Sequence, residues 1–353
     1  MVKQKKNSDH IYYFNSLILI WFDKNKRNLP WRGQSDPYKI WLSEIILQQT
    51  RVAQGTDYYL KFVRQFPTVQ DLAAASEQEV LRLWQGLGYY SRARNLHFTA
   101  KGIMENLNGI FPATFPELLK LKGVGDYTAA AIASIAFHEA VPAIDGNAFR
   151  VYARYFNIDL DISLPKTKKY FFELGKKIID PGRPGDFNQA VMELGATICL
   201  PQNPLCEICP VNESCEASAK NKVHQLPVKS KKVKVANRYF HFFEISDGPN
   251  YLMVKRQKKD VWEGLFTFPL IETIDSKWIT TDSYLVEFPF KKSHEMIHIL
   301  THQRLHIQFW RSMVNSKQLN SLSKNLDAQI YKAEHLDKLP LPRPMEKYLD
   351  LKI

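Results

Sequence analysis

Leu121-Lys122-Gly123-Val124-Gly125, with the helix and loop that follow it as far as Asp145, decides how this chain folds. Before it, Pro116-Glu117-Leu118-Leu119-Lys120 reads as a short helix entered through Pro116, whose missing N–H is harmless in a first helical turn. The two glycines permit a sharp turn that a residue with a Cβ resists. Asp126 is then the expected N-cap of an Ala-rich helix from Tyr127 to Phe137, whose alanines at 129, 130, 131, 133 and 136 leave room for close helix contact. The product is a helix–hairpin–helix. Its turn points backbone N–H groups outward beside a helix N-terminus, an arrangement that holds an anion and can grip a nucleic-acid phosphate without reading sequence. An ordinary helical hairpin closed by a glycine is the competing reading of these residues. The loop just beyond, Pro142-Ala143-Ile144-Asp145-Gly146-Asn147, favours the functional one.

A chain of 353 residues is long enough for two domains, each with its own core. The formal net charge of +12 and pI of about 9.3 call for an anionic partner. Nucleic acid fits better than membrane. The apolar run from Ile11 to Phe22 is interrupted by Asn15-Ser16, falls short of the roughly 20 residues of a span, and lacks the cleavage site of a secretory signal. A cytoplasmic, nucleoid-associated location is therefore expected.

Cys199, Cys206, Cys209 and Cys215 are the only cysteines, spaced C-x6-C-x2-C-x5-C. A disulfide framework is out of place in a chain of this length without an export signal. The grouping predicts a metal site. Structural zinc uses two short knuckles, whereas one long arm, a CxxC and a third arm suit an iron–sulfur cubane better; zinc and free thiols are the alternatives.

Residues 1 to 8 read as a solvated basic tail, followed by a helix from Asp9 to Lys24 that leads to Leu29-Pro30-Trp31-Arg32. The next helix, Tyr38 to Thr50, is apolar almost all round, with Glu44 set among Trp41, Leu42, Ile45 and Ile46. A carboxyl group buried there requires a raised pKa or a specific partner, and an ion pair with a cation such as Arg32 is the structural alternative to catalysis. Amphipathic helices continue from Phe66 to Asn108. They enclose Trp84-Gln85-Gly86-Leu87-Gly88-Tyr89-Tyr90-Ser91-Arg92-Ala93-Arg94, where glycines, adjacent tyrosines and arginines are suited to wedging a nucleic-acid stack. A Gly-broken loop with core tyrosines is the plainer reading. Further helices are expected over Asn147–Tyr155, Lys166–Ile179 and Phe187–Ile198.

Composition places a helical domain at residues 1–219, a basic linker at 220–236 with six lysines between Lys220 and Lys234, and a second, α+β domain at 237–353. In the last, Tyr239–Ile245 and Tyr251–Arg256 make a hairpin around Asp247-Gly248-Pro249-Asn250. Trp262 to Pro269 has aromatics at strand spacing, and His294–Leu300 with Leu305–Arg311 predicts another strand pair. Helices are expected near Thr281 to Val286 and over Met345–Leu351.

Five motifs in order now resemble one family. They are Trp41-Leu42-Ser43-Glu44-Ile45-Ile46-Leu47-Gln48-Gln49-Thr50, Gly86-Leu87-Gly88-Tyr89-Tyr90, Leu121 to Gly125, Ile144-Asp145-Gly146-Asn147 and the cysteine spacing. The chain resembles the MutY-type adenine DNA glycosylases of the helix–hairpin–helix superfamily, closely over residues 30–215 and loosely beyond. The resemblance implies a mainly α helix–hairpin–helix glycosylase fold with a 4Fe–4S loop at the cysteines, followed by a Nudix-like domain that reads 8-oxoguanine. It implies a monofunctional enzyme of base excision repair that hydrolyses the N-glycosidic bond of adenine mispaired with 8-oxoguanine or guanine.

Adenine leaves readily only once a ring nitrogen is protonated, and the sugar then becomes an oxocarbenium-like cation; one carboxyl must carry a proton while another stays ionised. By resemblance Glu44 is the general acid and Asp145, in a polar loop at a helix start, the ionised stabiliser, with Asn147 holding Asp145 and a water. Asp145 as a mere N-cap is the plainer reading. The base must be flipped out. Gln49 and Tyr89 would fill and wedge the gap, Arg32, Gln189 and Tyr127 would line the pocket, and Gln48 and Thr50 are further candidate substrate- or DNA-binding residues. Gly123 and Gly125 would meet a phosphate, with a monovalent or calcium cation at the hairpin. Bifunctional relatives carry a nucleophilic lysine where this chain has Tyr127, which forms no Schiff base. Phe149 stands where some members have another lysine. The family's Phe-Ser-His signature appears as Leu300-Thr301-His302, where Thr301 keeps the hydroxyl and Leu300 lacks the ring. No Nudix box of clustered glutamates is visible, so no pyrophosphatase activity is expected. The partner is double-stranded DNA with A·8-oxoG or A·G mispairs, and the protein is expected to be a monomer. The rival readings are a glycosylase for another mispaired base, such as thymine in T·G, and a non-catalytic DNA-structure binder.

Overall fold

The computed structural model describes residues 2–230, 235–257, 260–276, 285 and 288–351. Contacts group them into two compact units: Met1–Ala74 with Phe98–Lys231, and Ala75–His97 with Lys232–Ile353. The grouping departs from the boundaries read from composition. Ala75–His97 joins the C-terminal unit rather than the helical one. Part of the expected linker is packed: Val223 and Leu226 lie in the first unit's core, and the Ile162 N–H donates to the Val228 carbonyl at 3.0 Å. Composition reports charge along the chain, whereas these groupings depend on which apolar side chains find each other.

Helices run in the order α1 (Val2–Asn25), α2 (Pro37–Leu47), α3 (Val52–Gln65), α4 (Val69–Ala74), α5 (Glu77–Leu83), α6 (Ser91–Leu107), α7 (Phe115–Leu118), α8 (Asp126–Ala136), α9 (Gly146–Tyr155), α10 (Pro165–Ile178), α11 (Pro184–Thr197) and α12 (Glu216–Ala219). The first starts at Val2, not Asp9, since lysine is a good helix former and a charged stretch is no barrier to extending a helix. Pro37 follows an Asp36 N-cap whose side chain accepts from the Tyr38 N–H, fixing the start of α2. Ser76 and Glu79 form a reciprocal capping box at α5.

The first unit's larger core joins α1, α9, α10 and α11 through Phe14, Phe22, Tyr152, Tyr155, Phe171, Phe187 and Leu194. Each such ring removed from water contributes about 1.5–3 kcal/mol. The alanines of α8 are wholly buried at 129, 130, 131 and 133 and let neighbouring helices approach. The approach is closest at Gly185 on α11, where a Cβ would stand 2.8 Å from the Ser134 carbonyl oxygen and 2.9 Å from the Ile135 Cα.

The second unit holds seven strands among the described residues: β1 (Ala236–Ser246), β2 (Asn250–Lys255), β3 (Phe266–Thr267), β4 (Leu270–Thr273), β5 (Lys291–Ile299), β6 (Gln303–Met313) and β7 (Gln329–Lys332). The hairpin β1–β2 and the pair β5–β6 match the expected strands. The sheet is mixed, because β6 returns parallel to β1 along its whole length, from Ala236↔Gln303 to Ser246↔Met313. Trp262 to Pro269 is mostly turn rather than strand, with φ of +63° at Trp262 and +81° at Gly264. Leu319 and Leu322 of α13 (Ser316–Asn325) cover Phe243 and Ile245 on one face. The other face meets Tyr348 of α14 (Arg343–Asp350), stacked on Phe309 at 3.9 Å. The helix expected near Thr281 to Val286 lies almost entirely outside the described residues.

Gly185→Ala should forfeit about 1–3 kcal/mol of stability, because the added methyl meets backbone that has no rotamer to yield. An unchanged urea-unfolding midpoint would contradict the close approach of α8 and α11.

Candidate active site

Leu121 to Gly125 forms the expected hairpin between α7 and α8. Gly123 has φ of +79°, a conformation that favours glycine. Gly125 differs: it is extended, and nothing lies within 4 Å of where its Cβ would be. The open space lies outward, beside the N–H groups of the first turn of α8. Gly125, not Asp126, is the N-cap, and no side chain caps this end. Asp126 instead sits in the first helical turn, where its charge complements the helix dipole. The Thr99 hydroxyl donates to the Lys122 carbonyl at 2.7 Å and anchors the turn.

Behind the hairpin lies a cavity of about 220 Å³ lined by Glu44, Thr50, Tyr127, Asp145, Asn147 and Gln189, among others. Glu44 reaches it from α2, of whose eleven residues eight are buried. Burial pushes its carboxyl up to about 7; the nearby charge of Asp145 pushes the same way, and a hydrogen bond shared with Tyr127 opposes them. The alternative of an ion pair with Arg32 is not what the fold adopts. Arg32 Nη2 donates to Glu193 at 2.5 Å, and Arg27 grips the same carboxylate through Nε at 2.6 Å and Nη2 at 2.9 Å. Burial works against the Glu193 charge, but these two guanidiniums outweigh it and hold the carboxyl down to about 2.

Asp145 is the N-cap of α9, as its plainer reading required, and it also faces the cavity. One oxygen accepts from the Ala148 N–H at 2.8 Å and the other from Asn147 Nδ2 at 2.7 Å. Burial raises its pKa, while these bonds and Arg150 pull it down. Arg150 extends the network, donating to Asn147 Oδ1 at 2.8 Å, the Gly195 carbonyl at 2.7 Å and the Cys199 carbonyl at 2.7 Å. The carboxylate is thus coupled through two side chains to the start of the cysteine loop.

The four thiols line one small cavity with Val151, Tyr155, Leu194 and Arg154, whose Nη1 lies 3.3 Å from Cys199 Sγ. Burial pushes the Cys209 thiol up to about 12, so four thiolates at this point require a cationic group to hold them. Four thiols are the donor set of an iron–sulfur cluster, which Cys199, Cys206, Cys209 and Cys215 would hold.

Gln48 and Gln49 close α2, with Gln48 Nε2 donating to Thr128 at 3.3 Å; Gln49 is exposed with φ of +57°. In the second unit Tyr89 is also exposed, with φ of +48°. Both adopt a left-handed backbone conformation that is uncommon for residues other than glycine. The Tyr89 hydroxyl shares a hydrogen bond with Thr301 Oγ1. Both line a cavity of about 520 Å³ with His302, Trp262 and Arg343.

A model of the HhH-GPD superfamily base excision DNA repair proteins matches residues 42–180, the iron-sulfur binding domain of endonuclease III matches 199–215, and a NUDIX domain matches 241–351. The chain is 33% identical over 97% of its length to an adenine DNA glycosylase of Buchnera aphidicola (Schizaphis graminum), covering 99% of that protein. The chain belongs to the adenine DNA glycosylase family. It is 47% identical to the human member over 60% of its own length and 41% of the human chain. Among solved structures, a thermostable thymine-DNA glycosylase aligns with 61% of the chain at a TM-score of 0.56 and 30% identity, covering 99% of that protein. Among the described residues no helix of the glycosylase is long and apolar enough to cross a membrane.

The sequence reading missed Arg27, Met192, Glu193 and Arg150. Glu193 was within reach, since it lies four residues after Gln189 on α11 and so shares its helical face. In Gly195→Ala, the new Cβ would stand 2.5 Å from Asn147 Cβ. That variant should fold with a lowered unfolding midpoint and lose base-release rate by roughly tenfold or more, as Asn147 is pushed from Asp145. A rate equal to wild type would show that the Asn147–Asp145 bond is dispensable.

Proposed function

We propose that this glycosylase hydrolyses the N-glycosidic bond of adenine mispaired with 8-oxoguanine or guanine in duplex DNA. One observation carries the reading: Glu44 and Asp145, distant in sequence, face the same cavity in different electrostatic settings. Glu44 retains its proton near neutrality and delivers it to a ring nitrogen of the extruded adenine as the C1′–N bond breaks. Asp145, fixed by Asn147 and the Ala148 N–H, faces the cationic sugar, and that developing positive charge favours its ionised form. Water adds to C1′, and its released proton passes to a carboxylate of the pair.

Arg32 Nε is buried without a hydrogen-bond partner among the described residues, and it offers a donor to the base beside Gln189. Tyr127 in place of a lysine makes the enzyme monofunctional. Gly123 and Gly125 approach a phosphate of the DNA, with a monovalent or calcium cation at the turn, and Gln49 and Tyr89 occupy the space left by the flipped nucleotide. In the C-terminal domain, Thr301 and His302 read the opposing base. The cysteine loop carries a 4Fe–4S cluster that pins the segment after α11, and the protein acts as a monomer.

The deciding assay is single-turnover cleavage of duplexes containing A·8-oxoG, A·G, A·T and T·G, followed by alkali. Product should form with A·8-oxoG and A·G; product at T·G alone would overturn the reading, and no product anywhere would favour a DNA-structure binder. Glu44→Gln should still bind DNA and lose on the order of 10²–10⁴ in rate. Near-normal turnover would remove Glu44 as the acid. Wild-type rate should fall as pH rises through about 7, because the raised Glu44 pKa leaves the proton in place only below that value. Borohydride should trap no covalent DNA adduct. Thr301→Ala should narrow the rate gap between A·8-oxoG and A·G, and an unchanged gap would place recognition elsewhere.

A further inference from the structure

We propose that Arg92 is a positioning residue for Tyr89, its guanidinium clasped between the Trp84 and Tyr89 rings so that the exposed phenol is presented to the base stack. The inference rests on the reading of Tyr89 as a side chain that occupies the space left by the flipped nucleotide. The Arg92 guanidinium carbon lies over the Trp84 ring at 5.1 Å from its centroid and over the Tyr89 ring at 5.6 Å. A ring face attracts a cation within about 6 Å, and more strongly where the cation has lost water. Arg92 is partly buried, and burial pulls its pKa down to about 10, which leaves it charged at neutral pH. Trp84 is fully buried, whereas Tyr89 is 45% exposed. The stack thus runs from a ring fixed in the core, through a cation, to a ring at the surface.

The same arginine holds the backbone on both sides of Tyr89. Arg92 Nη2 donates to the Gly88 carbonyl at 3.3 Å, which also accepts from Trp84 Nε1 at 3.0 Å, and the Arg92 N–H donates to the Tyr89 carbonyl at 2.9 Å. Gly88 and Tyr89 both have positive φ, +73° and +48°, a conformation uncommon for tyrosine. At its far end the Tyr89 hydroxyl shares its hydrogen bond with Thr301. The neighbouring pair behaves differently. Tyr90 is buried, its hydroxyl donating to the Leu341 carbonyl at 3.4 Å, and Arg94 donates to the Glu263 carbonyl at 2.6 Å and to its carboxylate at 2.8 Å. Arg92 and Arg94 stand two positions apart on α6 and so project to opposite sides of the helix. Tyr90 and Arg94 fasten the segment within the second unit, while Arg92 serves the exposed tyrosine.

The test is a double-mutant cycle on the single-turnover rate of adenine release from an A·G duplex by the full-length protein in saturating excess. The quantity compared is the exponential rate constant and not the amplitude, so a smaller folded fraction of any variant does not enter. Arg92→Met keeps the aliphatic stem and removes the cation. It should slow release about two- to fivefold, the loss expected of one exposed cation–ring contact. Arg92→Lys, which keeps a charge against the rings, should lose less. Tyr89→Ala should slow release on its own, and adding Arg92→Met to it should slow release no further, because the group being positioned is gone. A wild-type rate in Arg92→Met, its full deficit in the Tyr89→Ala background, or an equal deficit in Arg92→Lys overturns the proposal and leaves Arg92 as packing around Trp84. A wild-type rate in Tyr89→Ala is the separate failure: the reading of Tyr89 itself is then wrong, and the role of Arg92 falls with it.

Discussion

Removal of Glu44 from water is the constraint around which the first unit is arranged. A carboxyl group on a helix buried on nearly every side loses most of its hydration, and Arg27 and Arg32 beside the cavity are committed to Glu193. What remains is neutrality near physiological pH and a hydrogen bond to Tyr127. Helix α2 is built for that purpose. Asp36 and Pro37 fix where it starts, and Trp41, Leu42, Ile45 and Ile46 seal it on the sides away from the cavity.

The same pocket keeps a second, opposite carboxylate. Glu193 is even less exposed than Glu44, yet it is held ionised by two arginines that grip it from the segment between α1 and α2. Burial alone therefore does not decide protonation; the partner does. Matching Arg27 and Arg32 to Glu193 leaves Glu44 without a counter-ion and keeps the two roles distinct. Asp145 is intermediate, partly shielded but supported by the Ala148 N–H, Asn147 and, through Asn147, Arg150.

Arg150 also ties this corner to the cysteine loop, because its guanidinium reaches the Cys199 carbonyl as well as Asn147. Arg154, one turn on, holds the Leu200 carbonyl at 2.7 Å and faces the Cys199 sulfur. The loop and the Asp145–Asn147 corner share α9 as a common support.

The hairpin, the buried helix with its carboxyl, the four-cysteine loop and the alternating strands of the second domain were legible in the order of residues alone. Each of those rests on local spacing, glycine conformation or the period of apolar residues, which survive without knowledge of the fold. Asp126 shows the limit even there: an N-cap preference did not locate the cap, because Gly125 already had the extended backbone that the position requires. Which arginine met which carboxylate, the grouping of Ala75–His97 with the C-terminal unit, and the contact of Met192 with the Tyr127 hydroxyl came only from the folded arrangement. Those partnerships join residues tens to hundreds of positions apart, and each was settled by competition among several acceptable partners, which only packing in three dimensions resolves.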